Sequence, residues 1–294
     1  MTDIRTASTA DTAVAGRLAS LRALLSEAAP VVVAFSGGVD SSLLAWVAND
    51  VVGPQRAHAV TAVSPSLAET EHAEARRLAE SWGLRHSEVE TLEMESAAYR
   101  VNDAQRCAHC KDALMDALEP LAIAEGATVT LGVNLDDLGD HRPGVEASAG
   151  RGARFPLVEA GFTKEAVRAA ARLLGLEVWD KPAAPCLASR LPYGTPVSPP
   201  VLRTVGQAEA ALARLGFGEL RVRHYGDLAR IEVPPDRLGD VVDARAAVVA
   251  AVRAAGYSYV TLDLEGLRSG NLNAALDEAS GASSANSHPA ETAG

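Results

Sequence analysis

Residues 31–46 read VVVAFSGGVDSSLLAW, and no other stretch narrows the possible folds as far. The apolar run at 31–35 predicts a strand buried on both faces, the habit of interior strands in a parallel sheet. The chain then enters Ser36-Gly37-Gly38-Val39-Asp40-Ser41-Ser42 and passes directly into a helical pattern at 41–51. Two glycines allow a sharp turn and a close approach of backbone to an anion. Ser36, Ser41 and Ser42 add hydroxyl donors. A helix beginning here also turns unpaired N–H groups and the positive end of its dipole toward a phosphate. The lysine of a GxxxxGK[ST] loop is absent, so this is not a Walker loop. Asp40 alone would repel a phosphate; it suits a site where Mg²⁺ bridges carboxylate and pyrophosphate. The plain alternative is a tight strand-to-helix turn that uses glycine and serine for geometry only.

The flanking pattern supports an α/β fold. Helices are expected at 12–29, with Asp11 as cap, and at 69–83, 110–126 and 163–175, the last capped by Thr163. Strands are expected at 57–63, 85–90 and 127–133. Alternating strands and helices imply β-α-β units and a covered parallel sheet. After residue 180 the pattern changes: DKPAAPCLASRLPYGTPVSPP carries six prolines and no periodicity. A helix at 201–215, strands at 220–225 and 229–234 joined by a turn, a longer helix at 236–255 and a strand at 257–264 read as a small α+β domain. The expected organisation is a flexible start (1–14), a nucleotide domain (15–182), a site-bearing connection (183–199), the small domain (200–270) and a disordered tail (271–294).

Charge and cysteine content limit the function. A net charge of −11 over 294 residues argues against broad contact with nucleic-acid phosphates. No run approaches the ~18 apolar residues of a membrane span, and the first thirty residues lack a signal-peptide pattern, so a cytoplasmic protein is expected. Three cysteines make a poor disulfide framework and suit reduced thiols or metal ligands. Cys107 and Cys110 form a CxxC pair at a helix start, beside Arg106 and Lys111. Cys186 follows a proline-rich turn, with Arg190 four residues on. If the three thiolates converge, they could hold zinc with His109 or His141 as fourth ligand. They could equally hold a [4Fe–4S] cluster with one open iron. Spacing does not separate these readings.

The motif SGGVDSS resembles the PP-loop of ATP pyrophosphatases, which adenylate a substrate and release pyrophosphate. SGGVDSS (36–42), TAVSPSL (61–67), RCAHCK (106–111), LGVNLDDLGDHRPG (131–144), KPAAPCLASRLPYG (181–194) and RVRHYGDLARIEV (221–233) together resemble the LarE family. These are ATP-dependent sulfur transferases that build the nickel-pincer nucleotide cofactor of lactate racemase, and the likeness runs from about residue 15 to 275.

The resemblance implies a PP-loop ATP pyrophosphatase domain (adenine nucleotide alpha hydrolase-like) followed by a smaller α+β domain. It implies a pyridinium-3,5-biscarboxylic acid mononucleotide as substrate, adenylated with ATP and Mg²⁺ and then thiolated. ATP would meet Ser36, Gly37, Gly38, Asp40, Ser41, Ser42, Ser64 and Gly132, with Asp40 on Mg²⁺. The sulfur-bearing cysteine would be Cys186. In one type of family member that cysteine surrenders its own sulfur and becomes dehydroalanine. In another, three cysteines hold a [4Fe–4S] cluster, the version that Cys107, Cys110 and Cys186 favour here. Arg190, Arg221, Arg223 and Arg106 would bind substrate; Arg221 and Arg223 alternate onto one strand face, as a two-point clamp needs. Glu209 and Asp240 would hold a divalent metal. Asn134, Asp136, Asp137, Asp140 and Arg142 would lie near ATP or the sulfur site. A homo-oligomer is expected, and the sulfur source is left open. The rivals are an ATP-dependent amide ligase, a tRNA thiolase, and a non-enzymatic ATP-binding module with structural zinc.

Overall fold

The computed structural model describes residues 9–138 and 143–268. The chain divides into two compact units, one of residues 1–188 and 196–203, the other of residues 189–195 and 204–294. The first unit runs α1 (Thr9–Ala28), β1 (Val31–Ala34), α2 (Val39–Val52), β2 (Ala57–Val63), α3 (Glu69–Ser81), β3 (Arg85–Glu90), α4 (Ala97–Val101), α5 (Arg106–Glu125) and β4 (Thr128–Leu131). It continues with α6 (Pro143–Gly150), α7 (Pro156–Glu159) and α8 (Lys164–Leu173). α9 (Pro199–Arg214) begins in this unit and continues in the second.

The four strands form a parallel sheet in the order β3-β2-β1-β4. Side chains of successive strand residues point to opposite faces, and β1 shows the result. Val31 and Val33 pack with the core of α1, α2 and α8, while Val32 joins the core that includes Leu114, Met115 and Leu118 of α5. Both faces are therefore covered, which is why the strand reads as an unbroken apolar run. Burying each valine stabilises the sheet by about 1.5 kcal/mol or more. The chain builds outward from β1 to β2 and β3, then returns to place β4 on the other side of β1. That reversal makes the gap at the carboxyl ends of β1 and β4 a topological switch point, where open α/β sheets bind ligands.

The second unit contains β5 (Arg221–Tyr225), β6 (Leu228–Glu232), α10 (Leu238–Asp243), α11 (Arg245–Ala254) and β7 (Tyr259–Leu262). Its sheet order is β5-β6-β7, with β5 antiparallel and β7 parallel to β6. Val222, Ala229 and Ile231 face an apolar core shared with α9 and α11. The opposite face carries Arg221, Arg223, Arg230 and Glu232, because Arg221 pairs in register with Glu232 and Arg223 with Arg230.

Several boundaries differ from expectation. α1 starts at Thr9, so Asp11 lies inside the helix rather than at its cap. The helix foreseen at 236–255 breaks at Ala244 into α10 and α11. The connecting stretch is divided between the units after Ala188 and again before Pro196. Thr163 does cap α8, accepting from Ala166 N–H at 3.2 Å, a contact that contributes about 1 kcal/mol. The expected tail from 271, and His141, Asp140 and Arg142, lie outside the described residues. No helix among those described is long and apolar enough to cross a membrane.

Candidate active site

The loop after β1 is tied together by its own hydroxyls. Ser41 Oγ accepts from Ser36 N–H at 3.2 Å, donates to the Gly38 carbonyl at 3.1 Å and lies 3.1 Å from Ser36 Oγ. Gly37 sits at φ +71°, in the left-handed region glycine tolerates, and an added Cβ would come 3.2 Å from Ala75 Cα. Ser42 Oγ is buried and without a partner among the described residues. Ser64 caps the turn after β2, its hydroxyl accepting from Ser66 N–H at 3.2 Å. Gly132, after β4, is the closest approach: a Cβ there would fall 2.7 Å from Ser41 N and 2.9 Å from Ser41 Cα. The two loops at the switch point thus touch backbone to backbone.

Asp40 is held from two directions. Asn134 Nδ2 donates to Asp40 Oδ1 at 3.0 Å, and Lys164 Nζ forms a short ion pair with Oδ2. Asn134 is itself buried and oriented by the turn around it, its backbone N–H donating to Asp137 Oδ2 at 3.1 Å. Asp136 accepts from Lys164 N–H at 2.7 Å, which places the lysine at the head of α8. A magnesium ion at Asp40 suits the carboxylate chemically and would share or replace the lysine. Sequence reasoning missed Lys164 and Lys181. Lys181 Nζ donates to the Gly37 carbonyl at 3.2 Å and pairs with Glu71 at 2.8 Å. Nothing local in TKEAV or WDKPA marks either lysine as a site residue.

Lys181 also anchors the segment that carries Cys186. Cys186 lies five residues beyond this anchor. Cys107 and Cys186 are exposed; Cys110 is partly buried. Burial first, and the nearby Cys186 second, push the Cys110 thiol up to about 12, with Cys107 a smaller contributor. As soft thiol donors the three cysteines fit an iron–sulfur cluster in kind. Among the described residues, however, no three Cys, His, Asp or Glu stand grouped as a metal site. His109, the proposed fourth zinc ligand, lines a groove of about 370 Å³ with Glu90, Glu93 and Asp112.

The arginines divide sharply. Arg106, expected to meet substrate, is buried and donates to Asn102 Oδ1 and to the Ala188 carbonyl. Arg190 is buried and bidentate on Glu209, at 2.8 and 3.1 Å. Arg223 pairs with Glu232 at 2.8 Å. Arg221 differs: among the described residues no carboxylate pairs with it, and its guanidinium donates to the Arg268 carbonyl at 3.3 Å. Burial, then the like charges of Arg223 and Arg190, pull its pKa down. A group under that pressure is stabilised by an incoming anion. Of the two arginines expected as a clamp, Arg223 is thus paired directly with a carboxylate, whereas Arg221 feels Glu232 and Glu209 only more weakly. Glu209 and Asp240, expected to hold a divalent metal, have other partners in this structure. Glu209 is engaged by Arg190 and by Val222 N–H, and Asp240 by Arg237 on the surface.

Residues 17–117 match the NAD synthase family, which covers the PP-loop half of the first unit. An uncharacterised protein of Synechocystis is 47% identical over 88% of this chain and 98% of its own length. The pyridinium-3,5-bisthiocarboxylic acid mononucleotide synthase of Lactiplantibacillus plantarum is 38% identical over 90% of this chain and 96% of its own length. The chain belongs to the LarE family. An uncharacterised Methanocaldococcus jannaschii protein is 24% identical over 81% of this chain. The LarE assignment spans both units, whereas the NAD synthase match ends within α5.

Proposed function

We propose that this protein is an ATP-dependent sulfur transferase acting on a pyridinium biscarboxylate mononucleotide. The observation that carries the reading is the full-length likeness to the bisthiocarboxylic acid mononucleotide synthase, combined with a PP-loop built on a switch point. A carboxylate is a poor electrophile. Its oxygen attacks the α-phosphorus of ATP, pyrophosphate leaves, and the acyl adenylate then accepts sulfur with loss of AMP.

In this reading the N–H groups of the PP-loop and the first turn of α2 cradle the phosphates, with Ser36, Ser41, Ser42, Ser64 and Gly132 around them. Asp40 would hold Mg²⁺, which would supply charge to the phosphates, and Lys164 neutralises charge that develops on them. Arg221 receives an anionic group of the substrate, phosphate or carboxylate. Arg190 and Arg223 keep their charged partners and hold that strand face in shape. Cys107, Cys110 and Cys186 would hold a [4Fe–4S] cluster whose open iron offers a sulfide. A second route rests on Cys186 alone, whose thiol is exposed. The thiolate attacks the adenylate to give a thioester and AMP. Loss of the Cα proton and cleavage of the Cβ–Sγ bond then release thiocarboxylate and leave dehydroalanine.

The test is turnover of the mononucleotide with MgATP by anaerobically purified protein, followed by mass spectrometry of substrate and protein. Thiocarboxylate formed with stoichiometric AMP and pyrophosphate supports the reading. Iron and sulfide near four per chain select the cluster route, and loss of one H₂S from the protein selects the sacrificial route. ATP cleavage without any sulfur incorporation, under either condition, refutes both.

A further inference from the structure

We infer that Arg106 is a positioning residue: oriented by Asn102, it pins the Ala188 carbonyl and so fixes the Cys186 segment against the helix that carries Cys107 and Cys110. The purpose of this latch rests on the sulfur-transfer reading, but its geometry does not. Arg106 Nη1 donates to Asn102 Oδ1 at 2.5 Å and to the Ala188 carbonyl at 2.9 Å. Asn102 is fully buried, and its backbone, at φ +60°, closes α4. The peptide group joining Cys186 to Leu187 is held from another side. Leu187 N–H donates to the Ser66 carbonyl at 2.8 Å, and Ser66 Oγ lies 2.7 Å from the hydroxyl of the buried Tyr99. Two consecutive residues after Cys186 are thereby fixed, while its own thiol stays exposed.

Energy makes the choice of residue informative. A guanidinium withdrawn from water carries a desolvation penalty of several kcal/mol, and apolar residues stabilise comparable sites as well or better. An arginine directly beside Cys107, aimed at the chain directly after Cys186, gains geometry rather than stability. Its two donors join segments 82 residues apart in sequence.

The test uses the full chain with Cys110→Ser, leaving the exposed Cys107 and Cys186, and dibromobimane, which fluoresces only after both of its arms alkylate thiols. The parent is expected to form the Cys107–Cys186 bridge, identified by peptide mass spectrometry. Arg106→Gln is expected to slow bridging at least about tenfold, the scale of one lost buried hydrogen bond to a charged group. Arg106→Lys, which keeps the donors and charge, restores much of it. Single-arm alkylation of Cys186 by iodoacetamide and MgATP affinity stay unchanged, which separates a latch from general unfolding. If Arg106→Gln does not fold, Asn102→Gly decides, since glycine keeps the left-handed backbone and removes only the carboxamide. Parent-like bridging in a folded Arg106→Gln or Asn102→Gly chain overturns the latch, as does a parent that never bridges. Failure of thiocarboxylate synthesis by the unmodified enzyme would instead count against the functional reading and leave this result standing.

Discussion

Replacing Gly132 by alanine tests the architecture of the nucleotide site with one methyl group. The new Cβ would stand 2.7 Å from Ser41 N, 2.9 Å from Ser41 Cα and 3.0 Å from the Asp40 carbonyl carbon. Comfortable separations for such atoms are about 3.5–4.0 Å, so relief requires movement of roughly 0.5–1 Å. All three obstructing atoms are main chain, so no side chain can rotate out of the way. Forced overpacking costs about 1–3 kcal/mol, and a rigid surround puts Gly132→Ala at the upper end. The shift falls on the first turn of α2, where the phosphates would sit, so MgATP affinity should fall at least about tenfold, or ~1.4 kcal/mol. Gly16→Ala is the control: it lies exposed in α1, and its added Cβ meets nothing within 4 Å. There the same methyl should stabilise by up to ~1 kcal/mol through helix propensity. Urea unfolding and calorimetric titration with MgATP measure both effects. A Gly132→Ala protein with parental stability and affinity would refute the claim that the loops after β1 and β4 meet backbone to backbone.

Lys164→Met should leave stability within about 0.5 kcal/mol, since the side chain is partly exposed. Pyrophosphate release should nonetheless fall about 100-fold, the order seen when one preorganised electrostatic partner is removed. Arg221→Ala should raise the KM for the mononucleotide with little change in melting temperature, because it breaks no carboxylate pair among the described residues. Arg223→Ala should instead destabilise by about 3 kcal/mol, because Glu232 is fully buried and keeps Arg230 at 3.1 Å as a poorer partner. Arg76 and His72 hold Glu88 down to about 2. A depressed carboxylate stabilises the fold above its unfolded value of about 4.3 and loses that contribution as pH falls toward 2. Glu88→Gln should therefore cost roughly 1 kcal/mol at pH 7, discounted for the exposure of Arg76, and flatten the loss of stability between pH 5 and 2.

The parallel sheet was legible because its signals are local: apolar runs of strand length, glycine turns and helical periodicity. α4, α6 and α7 were not, being five, eight and four residues long and too short to show a period. The PP-loop was legible for the same local reason, but the pairing of Asp40 with Asn134 and Lys164 crosses 94 and 124 residues and depends on the return of β4. The arginines illustrate the limit best. Residue type marks Arg106, Arg190, Arg221 and Arg223 alike as anion binders. Only the placement of Asn102, Glu209 and Glu232 distinguishes three with settled partners from one under electrostatic pressure.

The register of β1 also bears on how the enzyme comes into being. Val31 lies beside Thr128, and Ala34 beside Leu131, so one flank of the strand beneath the nucleotide stays bare until nearly a hundred further residues have been added. Such distant partners meet slowly. On the ribosome, the switch point is completed only once β4 has emerged, and its core and the Lys164 contact to Asp40 must wait for α8, so nucleotide affinity should arise late, as this unit nears completion.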